Sequence, residues 1–142
     1  MARNTDREIV QHIDAEFASL IKSLKDLAPS VPPENLLRSA AVIEQMCGGL
    51  TANLWDDPFE WTLPETLSNV DRVIEYLDEV DVARKRAFAS IDDAALSKYI
   101  AMPSGESQVL ISLLLDTLVK SKKHLDRIYM MKRENSVDPV II

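Results

Sequence analysis

Thr117, Ser121 and His124 interrupt an otherwise apolar line that reads Leu110, Leu114, Thr117, Ser121, His124, Ile128, Met131 at the 4-3 spacing of one helix face. Three polar side chains on such a line are costly if buried without partners, about 1–3 kcal/mol each. The spacing therefore predicts either a small hydrated pocket around them or pairing with acids of other helices, Glu44 and Asp81 being the candidates. Lys120, Lys122 and Lys123 surround His124 in sequence. Their charge repels a cation, lowers the imidazole pKa and favours an anion at that place. Cys47 is the remaining residue with reactive chemistry. A free cysteine on an apolar seam behaves as a small buried hydrophobe, and a redox or ligand role is its sharper reading.

The common signatures of catalysis are missing. No phosphate-binding loop, dinucleotide fingerprint, esterase elbow, H-E-x-x-H or C-x-x-C occurs. The acid-x-x-His pattern of di-iron bundles is also absent, since Ser121 stands three residues before His124 and Ile9 three before His12. Two histidines and one cysteine leave only a site in which His124 acts with carboxylates or water.

The elements that must position these residues are helices. The stretch 104–133 has no Gly or Pro after Gly105, and Ser104 and Glu106 suit a helix start. Thr5-Asp6-Arg7-Glu8 reads as a capping box before a stripe of Ile9, Ile13, Phe17, Leu20, Leu24 and Leu27. Three prolines within 28–33 stop that helix and Pro33-Glu34 opens the next, whose seam is Leu36, Ala40, Ile43, Cys47, Leu50 and Leu54. Gly48-Gly49 inside it implies close approach of another backbone. A third helix follows Ser68-Asn69, with a seam of Val70, Val73, Leu77, Val80, Arg84 and Ala87. Arg84 on that seam calls for an acid from its own or a facing helix. The expectation is an all-α, antiparallel-type four-helix bundle with helices near 5–28, 34–55, 69–90 and 104–133, and a short extra helix over 92–100.

Between the second and third helices, 55–64 holds Trp55, Phe59 and Trp61, and Pro58 and Pro64 keep it from being one long helix. So much aromatic surface should cover an end or flank of the bundle or meet a second subunit, and the prediction is a homodimer with this crossover in its interface. The net charge of −7 argues against nucleic acid as a partner. A single cysteine fits a reducing compartment, and no apolar run approaches the ~18 residues of a membrane span. These features predict one domain over 1–142, cytoplasmic and not bound to a membrane.

Four helices, an aromatic-rich crossover after the second, Pro103-Ser-Gly-Glu106 opening the fourth and a histidine late in the fourth together resemble the DinB/YfiT-like superfamily, over essentially the whole chain. The resemblance implies a four-helix bundle, often dimeric. In many members a divalent metal such as zinc or nickel sits on three histidines, one from helix two and an H-x-x-x-H pair from helix four. Some of these members are thiol-dependent S-transferases or isomerases. Lys120-Ser-Lys-Lys-His124-Leu-Asp-Arg-Ile128 looks like the matching segment, with His124 at the second histidine and Lys120 where the first would stand. Helix two has no histidine, and Cys47 is its only soft ligand. Two functions follow as expectations. One is a homodimeric small-ligand-binding or interaction module with a degenerate metal site. The other is a metal- and thiol-dependent S-transferase or isomerase with a non-standard ligand set around His124.

Overall fold

The computed structural model describes residues 4–55, 69–92, 94–101 and 103–136. Four long helices dominate it: α1 (Asn4–Leu27), α2 (Pro33–Ala52), α3 (Val70–Ala89) and α4 (Leu110–Ser136). Each forms because its apolar residues recur at helical period and bury on one side. Phe17, Leu24, Leu36, Ile43, Leu77 and Leu114 are fully enclosed in the shared core. Pro33 starts α2 where its missing amide costs nothing. The Asn69 side chain caps α3 by accepting from the Arg72 amide. Outer members of the expected stripes, Ile9, Leu54, Val70 and Met131, are exposed. α1 has begun by Asn4, so Thr5 lies in its first turn and does not cap it.

Contacts across the bundle fix its topology. Arg84 binds Asp14, and Lys25 meets Asp78 at 2.5 Å, so α1 and α3 run antiparallel. Asn35 touches Met131 and Ser39 meets Ser121, so α2 and α4 are antiparallel too. α1 and α2 each pack mainly against α3 and α4, which makes α1 and α2 diagonal partners. With α1 and α2 reversed at the Ala28–Pro32 turn, the order is up-down-down-up. α2 and α3 then run the same way, so the expected antiparallel-type arrangement holds only for the α1–α3 and α2–α4 pairs. Because Tyr76 of α3 bonds Glu44 of α2, the end of α2 and the start of α3 lie about 20 Å apart along the axis, at 1.5 Å per residue. A long connection is what parallel neighbours in a bundle require.

The region before α4 departs from expectation. In place of a short α-helix over 92–100 there is one 3-10 turn, Ala95–Ser97, and then β1 (Tyr99–Ala101). β1 pairs antiparallel with β2 (Ser107–Val109), with Ile100 opposite Gln108. Pro103-Ser-Gly-Glu106 is thus the connection of a hairpin and not the start of α4, which begins only at Leu110. Gly105 takes φ +90°, a left-handed value that a side chain disfavours. The Ser104 hydroxyl does accept from a backbone amide, that of Glu106 at 3.4 Å, but within the turn. Among the described residues no helix is long and apolar enough to cross a membrane.

Candidate functional site

The polar line on α4 is resolved mostly by packing. Thr117 donates to the Leu113 carbonyl of its own helix at 2.8 Å. Ser121 is fully buried against Ser39, also fully buried, on α2. Each serine hydroxyl lies 2.9 Å from the other residue's carbonyl, and the two hydroxyls are 2.8 Å apart. Two protons serve three close contacts, so the donors can exchange while both oxygens stay satisfied. Small side chains at this crossing let α2 and α4 approach closely. Neither hydroxyl reaches the acids expected from sequence: Glu44 accepts from the Tyr76 hydroxyl at 2.7 Å, and Asp81 from Arg84 at 2.9 Å.

His124 is different. It is half-buried, and its Nδ1 is buried without a hydrogen-bond partner among the described residues. Burial first, then the Arg127 and Arg38 guanidiniums, hold its pKa below the ordinary 6.5. The depression expected from neighbouring charge is present, but arginines of α4 and α2 act where the sequence pointed to lysines. Lys120 is exposed, and Lys122 pairs loosely with Glu16 of α1 at 3.6 Å.

Cys47 is buried, and desolvation pushes its thiol up to about 12. Arg84 opposes that rise and Glu44 adds to it. The thiol is therefore protonated at neutral pH and is a poor nucleophile or ligand. It also lies away from His124. Ser39 and Ser121 share a level of the bundle, and Cys47 is eight residues further along α2, about 12 Å, while His124 lies on the other side of that level. Among the described residues no three of His, Cys, Asp and Glu could hold one metal ion. With two guanidiniums beside His124 and no second donor brought to it, the residues present do not fit the three-ligand metal site that the resemblance implies.

Two features were only partly legible in the sequence. Arg84 is buried and binds both Asp81, from its own helix, and Asp14, from α1. The arginine was placed on the seam, but Asp14 carries no local signal of its role. The second feature is a cleft of about 300 Å³ at the end of the bundle, where the α1–α2 turn meets the C-terminal part of α4. Val31, Pro32, Ile128 and Met131 give it apolar walls, and Glu34 and Lys132 bring charge to it. Cavities of this size are at the small end of ligand pockets. A lesser cavity of about 210 Å³ lies at the opposite end, between α1 and α3 beside Phe88 and Leu96.

Of the aromatic crossover, Trp55 is described; Phe59 and Trp61 lie outside the described residues. Trp55 lies half-buried over α2, with its ring where a Gly49 Cβ would be, 2.3 Å away. Its indole donates to Asn53 at 3.0 Å, and its carbonyl accepts from Gln45 at 2.7 Å. Compared with family models, curated proteins and solved structures, the chain matches none of them.

Proposed function

We propose that this chain is a DinB-like bundle with a degenerate metal site that works as a small-ligand-binding or interaction module, forming a homodimer. The observation that carries the ligand reading is the cleft between the α1–α2 turn and α4, concave, largely apolar and supplied with a few polar groups. The non-catalytic reading is favoured over a metal- and thiol-dependent transferase or isomerase by the donor set. His124 faces arginines, Lys120 is exposed, and the Cys47 thiol is protonated and about 16 Å away along the axis.

The test is ligand screening on the untagged full chain, with thermal shift as the first readout and Ile128 and Met131 methyl resonances as the second. A ligand held at a hundred times its Kd adds about 2.7 kcal/mol of stability and should move both methyls. Met131→Glu, at an exposed position, should abolish the shift while the helical spectrum stays intact. Hits that stabilise the protein without moving either methyl would defeat the placement. Metal analysis of the same preparation addresses the enzyme reading. Stoichiometric zinc or nickel, lost on His124→Ala, would reinstate it.

A further inference from the structure

Next to the cleft lies a second feature of different chemistry. Asn35 Nδ2 lies against Met131 Sδ at 3.6 Å at the cleft, and Ser39 meets Ser121 further along the same pair of helices. Arg38 and His124 stand between these two contacts in sequence on antiparallel helices. They therefore occupy the level just beneath the cleft, about one helical turn down. Arg127, one turn along from Lys123, acts on the His124 ring together with Arg38. Beneath the residues that line the cleft there are thus two guanidiniums and an imidazole whose Nδ1 is buried without a partner among the described residues.

The wider charge distribution agrees. The chain carries −7 overall, yet six of its sixteen Lys and Arg residues fall within 120–133, against the single acid Asp126. Glu34, a cleft-lining residue, opposes an incoming anion and bonds Arg38 at 3.2 Å. That pair is largely exposed and is worth little in water, so a ligand charge can displace it.

We propose that the cleft takes a small anion with an apolar body. Its apolar part lies against Val31, Pro32, Ile128 and Met131, its negative group turns toward Arg38, Arg127 and His124, and it competes with Glu34 for Arg38. This rests on the reading of the cleft as the ligand site. A carboxylate, sulfonate or phosphate ester supplies the required charge.

A matched pair of fluorescent probes tests it on the full chain: 8-anilinonaphthalene-1-sulfonate, an apolar anion, and N-phenyl-1-naphthylamine, its neutral counterpart. The sulfonate should bind at least tenfold tighter and should weaken in 0.5 M salt, while the amine does not. Arg127→Gln should reduce sulfonate affinity about tenfold and leave the amine within twofold. Glu34→Gln should tighten the sulfonate, the opposite of what loss of a structural ion pair would do. Ile128 and Met131 methyl resonances report whether each probe sits in the cleft. Equal binding of both probes, or indifference to Arg127→Gln, or weakening by Glu34→Gln overturns the proposal. If the amine moves both methyls and the sulfonate shows no preference, the ligand cleft stands and the anion inference falls. If neither probe moves them, both fall.

Discussion

His124 and Cys47 show how the same force, removal from water, has opposite chemical effects on two titratable groups. Burial disfavours the imidazolium and so lowers the histidine pKa; it disfavours the thiolate and so raises that of the cysteine. For His124 the folded pKa lies below the unfolded value of about 6.5. The unfolded chain then binds the proton more tightly, so stability is full above pH 6.5 and declines as pH falls through the folded pKa. His124→Gln should flatten that decline in denaturation midpoints measured between pH 7.5 and 5. An unchanged slope would mean the ring is hydrated. For Cys47 we expect native protein to resist a thiol-specific reagent at pH 8, with reaction only at the rate of opening. Rapid stoichiometric labelling would restore the cysteine as a site candidate. The types and charges of these residues were legible in the sequence. Which arginines surround His124 was not, because Arg38 reaches it only through helix packing.

At the scale of the element, α2 ends in a device built from glycine and tryptophan. Asn53 takes the left-handed conformation, Leu54 returns its amide to the Gly48 carbonyl at 3.0 Å, and Trp55 folds over Gly49. The Gly pair implied a close neighbour, and there are two: the Leu54 carbonyl over Gly48 and the indole over Gly49. Gly49→Ala should displace the ring and destabilise by about 1 kcal/mol, the clash exceeding the gain in helix propensity. In a Trp55→Ala background the sign should reverse, because propensity alone remains. A penalty of equal size in both backgrounds would sink this account. The serine pair of α2 and α4 gives a second contrast. Ser121→Ala should cost about 1 kcal/mol, the loss of one net hydrogen bond. Ser121→Leu must force two closely packed helices apart and should cost appreciably more, in the range of about 1–3 kcal/mol or above. Equal losses in urea denaturation would show that the crossing is loosely packed. Ser104, Gly105 and Glu106 carry local signals that serve a helix start and a hairpin turn alike, and the pairing of Tyr99 with Val109 chose the turn.

Across the whole molecule, the Arg84 network joins α1 to α3. Its guanidinium is enclosed, while Asp14 and Asp81 remain about a third exposed. Removing the arginine lets both acids rehydrate; removing both acids strands a buried cation. Asp14→Asn with Asp81→Asn should therefore destabilise more than Arg84→Met, by thermal or urea unfolding. The reverse order would show that the acids, not the arginine, carry the desolvation. The proposed homodimer is a prediction of the same scale. Sedimentation at tens of micromolar should give twice the 16.0 kDa chain mass, and a monomer would exclude self-association at that concentration. The sequence by itself determined four helices, their approximate bounds and most of the core, because apolar residues at helical period can be buried in few other ways. It also marked Arg84 and His124 as polar groups on apolar seams. Tertiary structure alone decided that α1 and α2 are diagonal, that Ser121 meets Ser39, that Asp14 receives Arg84, and that Cys47 and His124 lie at different levels. Periodicity states which face of a helix is buried, but not which helix it meets or at what height. Those depend on the connections and on the one packing that satisfies every buried polar group together.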